Sequence, residues 1–289
     1  MADTVYLNGD FLPLDQARVP VLDRGFIFGD GVYEVIPVYG GHPFRLEHHL
    51  ARLQRSLDGV AIAPPHDDTG WTAIISGLIE RNGGGDLSVY LHITRGVARR
   101  DHGFPNGVAP TVFAMASPLT APAPETVARG LAAITLDDPR WQHCDIKAIS
   151  LLPNVLLRQQ AREADADEAI LIRDGEVTEG AASNIFIVHN GTLQTPPKGP
   201  HLLPGITRDL VLELAAAEGI PAAEAVFDKT ALLQADEVWL TSSTKEVMAV
   251  TRLDGTPVAD GVPGPLWQRL HKAYQAYKAR LQQGPEGTV

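Results

Sequence analysis

A short proline- and alanine-rich segment divides this chain into two halves, each of which mixes strand and helix signals. Pro118, Pro122 and Pro124 lie between Ser117 and Glu125, and prolines spaced in this way favour extended backbone over a helix or a central strand. A chain of 289 residues is long enough for two ordinary domains. We therefore predict an α+β protein with a first domain over residues 1–118, a linker over residues 119–125 and a second domain over residues 126–289.

The first half contains signals for strands and for two helices. Residues 5–7 precede the turn dipeptide Asn8-Gly9, and residues 32–39 are rich in β-branched and aromatic side chains. Further strands are predicted near residues 87–94 and 111–116. Apolar residues recur at helical spacing in two segments, and these are Leu46, Leu50, Leu53 and Leu57, followed by Trp71, Ile74, Ile75, Leu78 and Ile79.

The second half contains two hairpin signals among predicted helices. Asp174-Gly175 and Asn190-Gly191 each follow a run of apolar residues, and both dipeptides suit tight hairpin turns. Helices are predicted at residues 154–164, 208–218 and 266–281. This half is therefore also mixed α and β.

The overall composition excludes several classes of protein. Hydrophobic residues make up 44% of the chain and charged residues 20%, and no apolar stretch approaches the ~18 residues of a membrane span. The net charge of −11 argues against nucleic acid or an anionic membrane as a partner. The residues from Met1 to Thr4 show no secretory pattern, and the single Cys144 cannot form an internal disulfide. We expect a cytoplasmic location and a packing role for Cys144.

Lys147 is the most informative candidate for chemistry. It is the only lysine in the first 197 residues, and it lies in the largely apolar run Asp145-Ile146-Lys147-Ala148-Ile149 of a chain with 18 arginines and 6 lysines. Lysine, unlike arginine, readily loses its proton when desolvated and can then form a Schiff base with a carbonyl. The alternative is a lysine on a half-buried strand whose ammonium group reaches water.

Two segments look like helix starts that could bind an anion. In Leu203-Pro204-Gly205-Ile206-Thr207 a glycine turn leads into a helix, whose first N–H groups could face a phosphate. In the second segment, Ser243 and Glu246 have the spacing of a capping box. Simple helix capping is the alternative for each segment. Both segments together with Lys147 favour a phosphorylated carbonyl cofactor, pyridoxal 5'-phosphate.

Glu179 is the best candidate to bind the pyridine nitrogen of such a cofactor. A carboxylate at this nitrogen keeps the ring protonated and makes it a better electron sink. Small residues from Gly180 to Ser183 would allow a flat ring to approach the backbone. The alternative is an ordinary polar loop between hairpins. No metal site is expected, because the adjacent His48 and His49 would point in different directions on a helix.

Several motifs together resemble the class-IV aminotransferases, which are the fold-type IV pyridoxal phosphate enzymes. The likeness extends from about the first strand to the final helix, and the order and spacing of the motifs make it specific. The motifs are Asp23-Arg24-Gly25, Phe28-Gly29-Asp30-Gly31-Val32-Tyr33-Glu34, Asp145-Ile146-Lys147, Thr178-Glu179-Gly180, Ser183-Asn184 and Gly205-Ile206-Thr207-Arg208.

The resemblance implies a two-domain fold with the cofactor in the interdomain cleft, and it assigns roles to the candidate residues. Lys147 would carry the Schiff base and would then move a proton between the substrate Cα and the cofactor, while Glu179 would bind the pyridine nitrogen. The remaining cofactor contacts would be Arg52, Ile206, Thr207 and Ser243 at the phosphate, and Leu203 near the ring.

Within this family, the loop from Thr94 to Phe104 resembles that of the D-amino acid aminotransferases. Arg100 and His102 form its Arg-x-His feature. The resemblance implies that these two residues, with Tyr33, hold the substrate α-carboxylate. It also implies a homodimer in which the Arg100/His102 loop reaches the partner's site. A guanidinium can make charge-assisted bonds to a carboxylate, and such an anchor selects which face of Cα meets the lysine.

Two features depart from the pattern of that subfamily. Ala181 and Ala182 stand where D-amino acid aminotransferases commonly have serines, which removes a hydroxyl near the cofactor. Pro37 is expected to interrupt the strand that follows Tyr33 and to reshape the side-chain pocket.

The sequence therefore predicts a transaminase that moves the amino group of a D-amino acid, such as D-alanine, to a 2-oxo acid, such as 2-oxoglutarate. Three alternatives share the fold, namely an L-branched-chain aminotransferase, an (R)-amine transaminase and an aminodeoxychorismate lyase. A fourth alternative is a non-catalytic phosphate-binding scaffold in which Lys147 is structural.

Overall fold

The structure is a computed structural model that describes residues 3–284, and these residues group into two compact units. The first unit comprises the described residues of Met1–Thr120, Ile146–Ser150 and Arg280–Val289, and the second comprises Ala121–Asp145 and Leu151–Ala279. Residues 1–2 and 285–289, which the predicted domain bounds include, lie outside the described residues.

The division at Thr120 falls inside the predicted linker, and the compact units differ from the predicted domain bounds in two respects. The second domain was expected to be continuous from residue 126, whereas residues 146–150 and 280–284 group with the first unit. The reason for the first change is hydrogen bonding, because the segment around Lys147 pairs with a strand of the first unit. In addition, Pro124 and Glu125 are the first residues of a helix, so the linker is shorter than predicted.

The first unit is a six-stranded antiparallel sheet with helices packed against it. The sheet order is β2-β1-β6-β5-β3-β4. The strands are β1 (Thr4–Leu7), β2 (Asp10–Pro13), β3 (Gly31–Tyr39), β4 (His42–Pro43), β5 (Leu87–Thr94) and β6 (Thr111–Pro118), and the helices are α1 (Arg24–Phe28), α2 (Leu46–Gly59) and α3 (Asp68–Arg81), with a 3-10 turn at Leu14–Gln16.

The core of the first unit lies between the sheet and the apolar faces of α2 and α3. Helix α2 buries Leu50, Leu53 and Leu57, and α3 buries five apolar residues that include Trp71 and Leu78. These side chains form one cluster with inward-facing residues of β3, β5 and β6. The predicted helical periodicity is therefore confirmed, because the residues that set the period are the buried ones.

The second unit is a nine-stranded mixed sheet. Its order is β12-β11-β10-β13-β14-β7-β8-β9, with β15 paired to β14. The strands are β7 (Leu131–Asp137), β8 (Glu168–Arg173), β9 (Glu176–Gly180), β10 (Asn184–His189), β11 (Thr192–Thr195), β12 (Ala222–Glu224), β13 (Glu237–Ser242), β14 (Glu246–Leu253) and β15 (Thr256–Pro257), and the helices are α4 (Pro124–Arg129), α5 (Leu152–Glu163), α6 (Ile206–Ala217), α7 (Lys229–Leu233) and α8 (Pro265–Gln282).

The two predicted hairpins are present in this sheet. Asp174 and Gly175 join β8 to β9, and Asn190 and Gly191 join β10 to β11. All four residues have positive φ. Turns of this geometry match the twist of the strands that they connect, which explains the choice of Asp-Gly and Asn-Gly.

Two local predictions were wrong. No helix begins at Ser243, because Ser242 pairs with Glu246 in the β13–β14 hairpin and Ser243 lies in the turn between them. Pro37 does not interrupt its strand, since β3 continues to Tyr39. The carbonyl of Pro37 accepts a hydrogen bond from the Phe44 N–H, so its missing N–H faces away from β5 and no ladder bond to β5 is lost.

Two searches of residues 3–284 were negative. No helix in this range is both long and apolar enough to cross a membrane. The same residues contain no group of three or more His, Cys, Asp or Glu side chains placed to hold a metal ion.

Glu237 joins the sheet of the second unit to its last helix, and this contact can be tested. The buried carboxylate accepts hydrogen bonds from the N–H groups of Leu266 (2.9 Å) and Trp267 (2.8 Å) at the start of α8, and from Trp239 Nε1 (2.9 Å). Glu237→Ala would leave these buried donors unsatisfied, so we expect the free energy of unfolding in urea to fall by about 3 kcal/mol. The exposed Glu163→Ala is the control, and an equally small effect of both changes would contradict the prediction.

Candidate active site

Lys147 is held beside β3 by backbone hydrogen bonds. The N–H of Tyr33 donates to the carbonyl of Lys147 (2.9 Å), and the N–H of Ile149 donates to that of Gly31 (3.1 Å). The N–H of Lys147 donates to Ser56 Oγ on α2 (3.1 Å). Backbone anchored on both sides positions a side chain more exactly than a mobile loop does.

The side chain of Lys147 is half-buried and lies over an aromatic ring. Its Nζ is 4.1 Å from the centroid of Tyr33, which in turn lies 5.8 Å from the ring of Tyr90. Two of the predicted site residues, Lys147 and Tyr33, are therefore neighbours within the first unit. The amine has an aromatic wall on one side, where a desolvated ammonium would be stabilised by the ring face.

Arg52, the predicted phosphate ligand of the first unit, is bound to a carboxylate that the sequence did not reveal. Its Nε and Nη2 donate to Glu34 Oε1 (2.7 Å) and Oε2 (2.8 Å), and His49 Nδ1 also contacts Glu34 Oε2 (2.8 Å). All three side chains are buried. His48, by contrast, is exposed and contacts Arg45, so the two adjacent histidines point in different directions as predicted.

The loop that carries Arg100 and His102 is fastened to α1. Arg24 donates from Nη1 to the carbonyls of Asp101 (2.5 Å) and Gly103 (3.3 Å), and its Nε donates to Asp30 (2.7 Å). The ring of Phe28 lies 5.2 Å from that of His102 and 5.5 Å from the guanidinium carbon of Arg100.

Among residues 3–284, the loop residues Arg100 and His102 have no recorded polar contact with the lysine. In the part of the chain that the structure describes, neither side chain has a hydrogen bond or ion pair with Tyr33 or Lys147. Both are exposed. The resemblance implied that this loop reaches the site of a partner chain, so the grouping of Tyr33, Arg100 and His102 around one carboxylate stays a prediction.

Glu179 lies near the end of β9 in the second unit and accepts hydrogen bonds from three groups. Its Oε1 accepts from Arg140 Nη1 (2.5 Å), and its Oε2 accepts from Asn184 Nδ2 (3.2 Å) and the Leu203 N–H (3.0 Å). Asn184 Nδ2 also donates to the carbonyl of Leu203 (2.8 Å). Glu179, Asn184 and Leu203 therefore form one connected group.

Burial raises the pKa of Glu179 to about 7, even though Arg140 and the Leu203 N–H act in the opposite direction. Arg140 is itself held by Asp138, to which it donates from Nε (2.8 Å) and Nη2 (2.9 Å). The negative charge of Asp138 adds to the upward shift at Glu179. A carboxyl group with a pKa near neutrality can hold or release a proton at small cost.

The start of α6 leaves polar atoms that could bind an anion. The helix begins at Ile206, two residues before the predicted start, and its N-cap Gly205 provides no side-chain hydrogen bond. Thr207 Oγ1 is buried without a partner among the described residues, as is Thr241 Oγ1 near the end of β13. A side chain at Gly205 would lie too close to Asn184 Oδ1, so a larger residue there would displace the Asn184 side chain.

The second unit also contains Ser243, a predicted phosphate ligand, and Cys144, a predicted packing residue. Ser243 is half-buried in the turn that follows β13, and Lys245 closes this turn by donating its N–H to Ser242 Oγ (3.1 Å). Cys144 is buried and its thiol donates to the Trp141 carbonyl. Burial raises the pKa of Cys144, which agrees with a packing role rather than a nucleophile.

Sequence reasoning missed three contacts of this site. Glu34 and Arg52 pair a strand residue with a helix residue, so no local spacing indicates their contact. Arg140 lies 39 positions before Glu179, so no local spacing indicates the bond between them. Asn184 lay in a family motif without a predicted partner. A charged or amide residue within such a motif was the only available signal.

The enzyme class of this fold and site follows from a comparison with known protein families. The family model for amino-transferase class IV matches residues 31–253, which include Tyr33, Lys147 and Glu179. The chain belongs to the class IV aminotransferases.

Relatives and solved structures cover almost the whole chain. It is 42% identical over 271 residues to a D-alanine aminotransferase of Bacillus licheniformis, an alignment that covers 94% of this chain and 95% of the relative. It is 37% identical to a D-alanine aminotransferase of Staphylococcus haemolyticus, with 94% and 97% covered. A branched-chain aminotransferase of the archaeon Thermoproteus uzoniensis, solved with norvaline, superposes with a TM-score of 0.88 at 26% identity, covering 99% of this chain and 97% of that one.

The raised pKa of Glu179 predicts an unusual pH dependence of stability. Its folded-state pKa of about 7 lies above its ordinary value of 4.5, so the folded protein binds the proton more tightly than the unfolded chain. Stability from this group is then present below pH 4.5 and is lost as the pH rises towards 7, by at most about 3 kcal/mol. We expect urea unfolding of the ligand-free protein at pH 5 and pH 8 to show this loss.

Glu179→Gln is the control for this measurement. The amide cannot titrate, so the difference in unfolding free energy between the two pH values should shrink relative to the unsubstituted protein. Equal differences for both proteins would show that Glu179 is already ionised at pH 5.

Proposed function

We propose that this class IV aminotransferase uses pyridoxal 5'-phosphate to move the amino group of a D-amino acid to a 2-oxo acid, with D-alanine and 2-oxoglutarate as a suitable pair. The observation that carries the chemical part is Lys147, a primary amine held by backbone bonds with its Nζ 4.1 Å from the ring of Tyr33. The handedness is supported by the D-alanine aminotransferases at 42% and 37% identity.

The residues present fit the phosphate of this cofactor. The first N–H groups of α6 have no side-chain cap, and Thr207 Oγ1 is a buried hydroxyl without a partner among residues 3–284. A helix N-terminus with a free hydroxyl suits a phosphate dianion. We assign phosphate binding to Ile206, Thr207, Ser243 and Arg52.

Glu179 fits the pyridine nitrogen. Its carboxyl group is buried and has a pKa near 7, so it can accept a hydrogen bond from a protonated ring nitrogen. A positive charge at that nitrogen would favour the ionised carboxylate. Arg140 and Asn184 keep the carboxylate in one orientation, and Leu203 donates its N–H to Glu179. Leu203 would pack near the ring.

Pyridoxal 5'-phosphate, when bound, supplies a carbonyl that condenses with amines and a ring that withdraws electrons from the substrate Cα. Lys147 would supply the amine that holds this carbonyl when no substrate is present. With substrate bound, Lys147 Nζ would be the base that takes the proton from the substrate Cα and the acid that returns it to the carbonyl-derived carbon. A positioned acid–base group of this kind contributes about 10²–10⁴-fold to rate.

The substrate carboxylate is assigned to Tyr33, Arg100 and His102, and we propose a homodimer in which the Arg100/His102 loop serves the partner's site. Within the chain these loop residues make no hydrogen bond or ion pair to Tyr33 or Lys147 among the described residues. The same unit also exposes large apolar side chains within residues 19–26, with Val21 72% and Phe26 76% accessible. Exposed apolar surface is typical of association surfaces.

A branched-chain L-amino acid aminotransferase is the second candidate, because solved structures of branched-chain aminotransferases superpose closely on this chain. Their sequence identity to this chain is lower, at 26% for the Thermoproteus uzoniensis enzyme against 42% for the Bacillus licheniformis D-alanine aminotransferase.

A cytoplasmic location stays a prediction that is based on the single cysteine.

The handedness is tested by half-reactions that follow the absorbance of the bound cofactor. D-Alanine should change the absorbance of the bound cofactor. L-Alanine and L-leucine should change it at least ~100-fold more slowly, because the carboxylate anchor presents one face of Cα to Lys147. Conversion by L-leucine alone would replace the proposal by the branched-chain alternative.

Lys147→Ala tests the assigned role of the lysine in the same assay. The variant should bind pyridoxal 5'-phosphate but lose conversion by at least ~10³-fold, because no amine remains to move the Cα proton. Borohydride should fix the chromophore to the unsubstituted protein and not to this variant. Lys229→Ala, which removes an exposed lysine paired with Asp254, is the matched control and should behave as the unsubstituted protein.

A mixing experiment tests the dimer and the loop together. Arg100→Ala should weaken D-alanine binding by about 10- to 100-fold, because a charged hydrogen bond is lost.

For the hybrid dimer, Arg100→Ala and Lys147→Ala chains are co-expressed with different tags and purified through both tags. If the loop serves the partner, each hybrid contains one intact site and recovers about half of the normal activity. No recovery would place Arg100 in the site of its own chain.

A further inference from the structure

Glu34 is a buried carboxylate to which the proposed reaction assigns no role. It lies on β3 next to Tyr33, and its side chain is fully buried. It is bonded to Arg52 through two parallel contacts of 2.7 and 2.8 Å and to His49 through one of 2.8 Å. One carboxylate thus connects the phosphate ligand of the first unit with a buried histidine.

The charge state of this group follows from its contacts. Burial by itself would raise the pKa of Glu34, but Arg52 and His49 hold it well below its ordinary value. Burial lowers the pKa of His49, and the charges of Arg52 and Lys147 lower it further, against the effect of Glu34. Glu34 is therefore an anion and His49 is neutral, so His49 Nδ1 carries the proton that it donates to Glu34.

A buried ion pair of this kind is a poor source of stability. Removing two charges from water costs about as much as their attraction returns, so apolar residues of similar size would stabilise the fold equally well. Arg52 is 3% exposed, and a buried guanidinium without a counter-ion would not stay in place. The presence of this ion pair is explained if the Arg52 guanidinium must hold one orientation before a ligand binds.

We propose that Glu34 is a positioning residue for the cofactor: it holds the Arg52 guanidinium in the orientation that binds the phosphate, and His49 braces the carboxylate. This inference depends on the phosphate role proposed above for Arg52. The two parallel bonds fix the plane of the guanidinium, which an arginine bonded at one nitrogen would not maintain. The cost of ordering Arg52 is then met on folding, and phosphate binding need not supply it.

The test compares two ligands that differ only in the phosphate. Dissociation constants for pyridoxal 5'-phosphate and for pyridoxal are measured by equilibrium dialysis with Glu34→Gln and with the unsubstituted protein. An amide accepts at one oxygen only, so one of the two bonds to Arg52 is lost. We expect binding of pyridoxal 5'-phosphate to weaken by about 10- to 100-fold, with binding of pyridoxal unchanged.

A double-mutant cycle separates positioning from general structural damage. If Glu34 acts through Arg52, Glu34→Gln should add less than about 2-fold to the weakening already caused by Arg52→Gln. Additive effects, or equal weakening of both ligands by Glu34→Gln, would overturn the inference. Unchanged binding of pyridoxal 5'-phosphate to Glu34→Gln would also overturn it.

Two further variants keep the test decisive. Glu237→Gln removes the charge of another buried carboxylate, which caps α8, and it should leave both dissociation constants unchanged. Glu34→Asp retains the charge on a shorter side chain and is measured in the same way, so a poorly folded Glu34→Gln does not end the experiment. Failure of the unsubstituted protein to bind pyridoxal 5'-phosphate would instead refute the proposed function.

Discussion

The candidate chemistry of this protein depends on a short stretch of backbone pairing. Residues 146–150 lie beside β3, bonded through the carbonyl of Lys147 and the N–H of Ile149. These bonds place the lysine next to Tyr33 and fix the register of both side chains. Because the pairing is between backbone groups, it tolerates changes of side chain around Lys147 while keeping the amine where the reaction needs it.

Buried carboxylates paired with arginine are the second constraint on the site. Glu34 binds Arg52, Asp30 binds Arg24 and Arg95, and Asp138 and Glu179 share Arg140. The planar guanidinium matches two carboxylate oxygens at once, which an ammonium cannot do. Among the 18 arginines of the chain, Arg24, Arg52, Arg95 and Arg140 pair with carboxylates in this site.

Local patterns predicted most of the fold because they report which residues face the core. The helical spacing of Leu50, Leu53 and Leu57 identified α2, and Asp174-Gly175 identified a hairpin. The same kind of evidence was wrong at Ser243, where a capping pattern lies in a hairpin turn instead. A four-residue pattern does not show whether the next segment pairs with the previous strand, and here the pairing of β13 with β14 prevailed.

The sequence by itself determined the elements, the class of chemistry and the identity of Lys147 and Glu179 as candidates, because each depends on residue type and short-range order. Only the tertiary structure decided that residues 146–150 join the first unit, that Glu34 holds Arg52 and that Arg140 holds Glu179. The two ion pairs join residues that are 18 and 39 positions apart in the sequence. Folding brings them together through burial and backbone pairing, which no local spacing encodes.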